Sequence, residues 1–140
     1  MTANPNEIRI AARTEKLPEL LAYVERRLEE ADCSPKAQMQ IVVAIEEVFV
    51  NIAMYAYAPG VGDADFRMEI SGDPPTAEFR FADRGIPYDP TAREDPDITL
   101  PAEQREVGGL GILMTKKFMD EVSYEYRDGQ NLLTLRKRLR

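Results

Sequence analysis

Hydrophobic and polar residues alternate over several short stretches, with the two-residue period of a half-buried strand. Residues 7–11 (EIRIA) place Ile8 and Ile10 on one face. Residues 66–70 and 77–81 show the same alternation on either side of SGDPPT, a turn-forming segment. EVSYEY and the leucine-bearing segment after RDGQ repeat the arrangement near the end of the chain. The pattern predicts one strand followed later by two hairpins.

Helical periodicity separates the first strand from the first hairpin. Apolar residues recur at 3.6-residue spacing over residues 17–31, and Thr14 is the predicted N-cap of this helix. Ser34 and Pro35 are typical of an N-cap and a first helical position, so a second helix is predicted from there to about Tyr57. Its middle, IVVAIEEVFVNIA, is apolar on nearly every side, as expected of a helix packed between a sheet and other elements.

A third, short helix is predicted after GGLG, which gives the element order β, α, α, ββ, α, ββ. This order segregates helices from strands and predicts an α+β fold, a two-layer α/β sandwich with a mostly antiparallel sheet covered on one face by helices. Residues 88–107 are polar and proline-rich, too long for an ordinary connection, and are interpreted as a lid. With 140 residues, a single domain over 1–140 is expected.

Charge and composition narrow the possible functions. A formal net charge of −7 argues against electrostatic capture of nucleic acid or anionic membrane. The chain shows no apolar leader and no run of ~18 apolar residues, so a cytoplasmic protein is expected. With no histidine, Ser-His-Asp and Cys-His catalysis, histidine-ligated zinc and phosphohistidine are excluded, and Cys33 alone forms no internal disulfide. Chemistry must use carboxylates, amides, backbone groups and a bound metal.

Glu47 and Asn51 are the first candidate pair, because residues four apart on a helix share a face. One interpretation is structural, with the two side chains bonded to each other or to nearby backbone. The other is that Asn51 offers an amide oxygen to a magnesium ion, which takes few protein ligands beside nucleotide phosphates. The pair by itself does not decide between them.

Two further motifs bear on the same choice. DRGIPYDP places Asp83 on the inward face at a strand end, where it can accept a hydrogen bond from an exocyclic amine, and Gly85 lets the backbone turn closely past it. A common turn explains this motif equally well. Gly108, Gly109 and Gly111 come before a predicted helix, where backbone N–H groups and the helix dipole favour phosphate.

Taken in order, E-x-x-x-N, D-x-G-x-P and G-G-x-G resemble the ATP-binding domain shared by gyrase, Hsp90, histidine kinases and MutL, called GHKL. EEVFVNIAMYAY, DRGIPYDP and GGLGILMTKKFMDEVSYEY look like its small anti-sigma-factor serine kinases, of the SpoIIAB and RsbW type, over nearly the whole chain. The resemblance implies a Bergerat-type ATP-binding fold with an ATP lid, and ATP with Mg²⁺ as cofactors.

The resemblance also implies roles, which are carried onto matching positions. Glu47 becomes the general base on a protein serine, and Asn51 becomes the magnesium ligand. Asp83, with Gly85, is expected to bind the adenine amine. The residues expected to cradle phosphates are Gly108, Gly109 and Gly111.

Three positions depart from the family pattern. Tyr55 stands where many relatives have a histidine. An arginine expected directly before the glycine pair is displaced to Arg105, and Val107 stands in its place. The place of a threonine that helps hold the adenine amine falls to Asn131, with Thr134 nearby.

The resemblance thus implies an ATP- and magnesium-dependent serine/threonine-protein kinase that phosphorylates a STAS-type anti-anti-sigma partner and sequesters a sigma factor in transcription regulation. Relatives of this type are often homodimers, and the sequence leaves the oligomeric state open. An alternative is a regulatory module in which ATP selects between partners with negligible phosphoryl transfer. A detached histidine kinase catalytic domain and an α/β domain without nucleotide are two weaker alternatives.

Overall fold

The computed structural model describes residues 6–57, 60–92 and 109–140. This part of the chain contains five strands and three α-helices in the predicted order. Their bounds are β1 Glu7–Ala11, α1 Leu17–Glu30, α2 Pro35–Asn51, β2 Asp63–Ser71, β3 Thr76–Asp83, α3 Gly109–Phe118, β4 Glu121–Arg127 and β5 Gln130–Arg138.

The strands form one sheet in the order β1-β2-β3-β5-β4, and each described pairing is antiparallel. Both predicted hairpins are present, as β2–β3 and β4–β5. The second hairpin turns at Asp128 and Gly129, whose φ angles of 54° and 76° match the left-handed backbone of a two-residue hairpin turn. The predicted α+β fold with an antiparallel sheet is confirmed.

One face of the sheet carries the core and the other faces solvent. Inward positions on the central strands, such as Phe66, Phe79 and Phe81, are buried in one cluster with residues of α1 and α2. On the opposite face, Arg9 pairs with Asp65 at 2.8 Å. The period-2 alternation thus separates apolar from charged residues, and the helices cover the apolar face as predicted.

The helix ends agree with prediction at one point and differ at two. Ser34 is the N-cap of α2, accepting a hydrogen bond from the Ala37 backbone N–H at 3.2 Å. The predicted N-cap Thr14 is wrong, because Thr14–Lys16 forms a 3₁₀ turn and α1 begins only at Leu17, with no side-chain cap. After α2, residues Ile52–Ala56 continue as a π-helical turn.

The segment Pro35–Ala56 is, among the described residues, long and apolar enough to cross a membrane by length and composition alone. The core helix of a water-soluble protein passes the same test. Here α2 contacts α1 and α3, and it contributes Ile41, Ile45 and Phe49 to the core. The segment is therefore weak evidence for a membrane span.

Candidate functional site

A cavity of about 380 Å³ opens between the end of α2 and the adjoining ends of β3 and β5. Its deeper wall is apolar and includes Ile52, Phe81 and Leu133. Its lining also includes Asn51 and Asp83, two residues that the sequence motifs single out. The fold therefore brings two motifs more than thirty positions apart to one concave surface, where binding sites usually form.

Asp83 lies at the last position of β3 and is 7% exposed. Its Oδ1 atom accepts two hydrogen bonds, from the Gly85 backbone N–H at 2.9 Å and from Asn131 Nδ2 at 3.0 Å. Among the described residues, no donor is bonded to Oδ2. This oxygen of a largely buried carboxylate can therefore accept a hydrogen bond from a ligand in the cavity.

Asn131 faces Asp83 across the β3–β5 ladder and has every amide position in use. Its Nδ2 also donates to the Ile86 carbonyl at 2.9 Å, and its Oδ1 accepts from the Tyr88 backbone N–H at 3.1 Å and from the Tyr124 hydroxyl. The side chain thus ties the segment after β3 to the sheet. Asn131 holds Asp83 in place.

Glu47 and Asn51 interact directly on α2. Asn51 Nδ2 donates to Glu47 Oε1 at 3.1 Å, and both side chains are half-buried rather than buried as their apolar neighbourhood suggested. A carboxylate only accepts, so the amide nitrogen must face Glu47. Asn51 lines the cavity, and its amide oxygen accepts no hydrogen bond from the described residues. The structural interpretation of this pair and the ligand-binding one are therefore compatible.

The segment after Asp83 packs against the end of the π-helical turn. Ile86 N–H donates to the Ala56 carbonyl at 3.1 Å. A Cβ placed on Gly85 would overlap the backbone carbonyl of Ala56, so only glycine fits this approach. Glycine is thus needed at Gly85 because the loop packs closely against the helix.

Two tyrosine hydroxyls bond to residues at or beside the cavity. Tyr124 lines the cavity and donates to Asn131, and burial raises the pKa of its phenol. Tyr57 donates to the Asp63 carbonyl and accepts from the Arg84 N–H, each at 2.7 Å. Burial raises the pKa of Tyr57 too. Both phenols are neutral donors at neutral pH.

The residues present fit a purine nucleotide with magnesium. The apolar wall suits a flat base, and the free Oδ2 of Asp83 suits its exocyclic amine. No group of three or more acidic, histidine or cysteine side chains that could hold a metal occurs in the described part of the chain. A single amide oxygen from Asn51 matches a magnesium ion that takes most of its ligands from phosphates and water.

Residues 10–137 match the protein-family model described as "Histidine kinase-like ATPase domain". This chain belongs to that family. The match covers every described strand except the first residues of β1 and the last residue of β5. The ATPase domain assignment agrees with the cavity and with the antiparallel sheet.

Two relatives of the ATPase domain are named as kinases. The serine/threonine-protein kinase BtrW of Bordetella bronchiseptica is 29% identical over 102 residues, which are 73% of this chain and 71% of the relative. The serine-protein kinase RsbW of Listeria monocytogenes serovar 1/2a is 26% identical over 107 residues, covering 74% of this chain and 68% of the relative. The resemblance to the RsbW type of kinase is thus confirmed at modest identity.

Some predicted site residues of the ATPase domain fall elsewhere. Thr134 is wrong as a cavity residue, because it pairs with Arg80 and lies three positions after Asn131, so alternation turns it to the outer face of the sheet. Arg105 and Gly108 lie outside the described residues. The motif predicted Gly109 and Gly111 before the helix, but they lie within the first turn of α3.

Two tyrosines that bond to residues at or beside the cavity of the ATPase domain were not predicted from sequence. Tyr57 is the last residue of EEVFVNIAMYAY, but the family pattern assigns it no role. Tyr124 was recognised as an alternating residue of β4, but its contact with Asn131 depends on the β4–β5 register. Register follows from the hairpin turn and could have been used.

Proposed function

We propose that this chain is an ATP- and magnesium-dependent serine/threonine-protein kinase whose substrate is a STAS-type anti-anti-sigma protein, and that it also sequesters a sigma factor. The observation that carries the proposal is one cavity lined both by Asp83, whose Oδ2 has no donor among the described residues, and by Asn51, which is bonded to Glu47. Base recognition and metal binding would thus share one cavity, with the proposed general base bonded to the proposed metal ligand.

Asp83 would accept a hydrogen bond from the exocyclic amine of adenine through Oδ2. Gly85 and Asn131 keep Oδ1 occupied, so the carboxylate is held in one orientation, and within the described part of the chain Oδ2 has no donor. Ile52, Phe81 and Leu133 would contact the base and exclude water from it. Exclusion of water strengthens the single polar contact that distinguishes adenine.

Asn51 would hold magnesium through its amide oxygen. Bound magnesium ATP supplies the transferable phosphoryl group and neutralises charge on its phosphates. Glu47 would accept the proton of the attacking serine hydroxyl, a role for which a half-exposed carboxylate within reach of solvent and partner is suited. Its bond to Asn51 fixes the carboxylate relative to the metal ligand.

The backbone N–H groups at the start of α3 would face phosphate. Gly109 and Gly111 lie in that first turn, where backbone N–H groups have no partner within the helix. Gly108 and Arg105 are proposed to add phosphate contacts. The chain would act in the cytoplasm as one domain over residues 1–140.

Phosphoryl transfer from radiolabelled ATP tests the proposal. Purified protein is incubated with a purified STAS-domain protein, with and without magnesium. We expect label on a serine or threonine of that partner only with magnesium. Binding of ATP without any labelled partner would contradict kinase activity and favour a regulatory module.

A further inference from the structure

The hydroxyl of Tyr57 joins the two halves of the candidate site. Tyr57 follows the π-helical turn that continues α2, the helix that carries Asn51. Its hydroxyl accepts a hydrogen bond from the N–H of Arg84 at 2.7 Å. That N–H belongs to the peptide unit directly after Asp83, so the bond sets the orientation of the backbone where the base-binding carboxylate is attached.

The same hydroxyl is anchored a second time. It donates to the carbonyl of Asp63, at the first position of β2, at 2.7 Å. The ring also lies against Gly62, where a Cβ would overlap the ring tip. A phenol that uses one donor and one acceptor position, with its ring packed against glycine, has little freedom to move.

The hydrogen bonds of the Tyr57 hydroxyl fix the position of the neighbouring backbone more than they stabilise the fold. Both hydrogen bonds lie in an exposed setting, where water can replace a lost hydroxyl at small cost in folding free energy. Water cannot reproduce a fixed link between the end of α2, the start of β2 and the end of β3. Removing the hydroxyl should therefore affect placement of Asp83 much more than folding.

We propose that Tyr57 is a positioning residue for nucleobase recognition, which aligns Asp83 with the exocyclic amine of the bound base by linking Arg84 to β2 and the end of α2. This rests on the proposed function, because it takes Asp83 to read an amino-purine. Tyr57 itself touches neither the base nor the reacting atoms.

The test compares binding of ATP and of purine riboside triphosphate, which lacks the exocyclic amine, by calorimetry. Wild-type protein should prefer ATP by at least about tenfold. In Tyr57→Phe this preference should fall to about threefold or less, with affinity for the purine analogue nearly unchanged. The melting temperature should stay close to that of wild type.

Two further variants separate positioning from general damage. Gly62→Ala keeps the hydroxyl but displaces the ring, so it should lose the same preference. Tyr23→Phe removes a hydroxyl that accepts from Arg27 at 3.2 Å on α1, away from the cavity, and should keep the preference. A purely structural role of Tyr57 would lower both affinities together.

The outcomes distinguish failure of the proposed function from failure of the inference about Tyr57. If wild-type protein binds neither nucleotide, the proposed function fails and this inference fails with it. If wild-type protein prefers ATP and Tyr57→Phe prefers it equally, only the inference about Tyr57 is overturned. Loss of preference in Tyr57→Phe and Gly62→Ala, with retention in Tyr23→Phe, supports it.

Discussion

Asn51 donates its amide N–H to Glu47 Oε1 at 3.1 Å, so the proposed metal ligand also holds the proposed general base. One helical turn separates the two residues, and Asn51 also lines the cavity. The Asn51–Glu47 hydrogen bond is therefore compatible with both a structural role and the proposed catalytic role of the two residues.

Glu47→Gln should abolish proton acceptance but keep the bond to Asn51, because the glutamine oxygen also accepts. Phosphoryl transfer to the partner should fall by about 10²–10⁴-fold. The Kd for ATP should change by less than about threefold. Radiolabel transfer and calorimetry measure the two quantities, with the exposed neighbour Glu46→Gln as control. Equal transfer rates in wild type and Glu47→Gln would exclude Glu47 as the base.

Asn51→Ala should remove the magnesium-dependent part of ATP affinity. We expect about a tenfold weaker Kd with magnesium and little change when the metal is chelated, because only the metal ligand is lost. Gln40→Ala, an amide earlier on α2, is the matched control. An equal loss of affinity with and without magnesium would mean that Asn51 acts by packing.

Gly85→Ala should destabilise the fold, because the new Cβ would overlap the backbone of Ala56. Overpacking of this kind costs about 1–3 kcal/mol in the free energy of unfolding. Urea denaturation gives this value, with the exposed Gly60→Ala as a control expected to cost less than about 0.5 kcal/mol. Similar midpoints for both variants would show that the loop can move away from α2.

Alkaline pH should weaken the fold through the phenols of Tyr124 and Tyr57, which are partly shielded from solvent. Burial raises the pKa of Tyr124 and Tyr57 in the folded state, so their protonated forms are favoured by folding. The resulting stability is fully present below the unfolded tyrosine pKa of about 10 and is lost as pH rises through the folded values. Near-ultraviolet absorbance should show two tyrosines titrating late. Normal titration in both Tyr124→Phe and wild type would contradict this.

Much of the fold could be predicted from sequence because its signals are local. Alternation in EIRIA and around SGDPPT gives the strands, and Ser34 before Pro35 gives the start of α2. The prediction for Thr14 was wrong because a residue that can cap an α-helix can also begin a 3₁₀ turn. The first residue of α1 that contacts the core comes later in the chain. Local propensity does not decide which of these forms.

The sequence predicted only those site residues to which a motif assigns a role. Asp83 was placed correctly by extending a two-residue period to the strand end. Thr134 was misplaced since the same period, counted from Asn131, turns it outward. Tyr57 could not be found by periodicity, because its role depends on backbone groups from β2 and β3 that meet only in the folded chain.

Calorimetric titration of ATP with magnesium into wild type and Asp83→Asn tests the central claim most directly. In the variant, the asparagine oxygen can keep the bonds from Gly85 and Asn131, but its NH₂ replaces Oδ2 and opposes the adenine amine. The account predicts saturable binding to wild type and at least about tenfold weaker binding to Asp83→Asn. Absence of heat with wild type, or equal affinity of the two proteins, would contradict it.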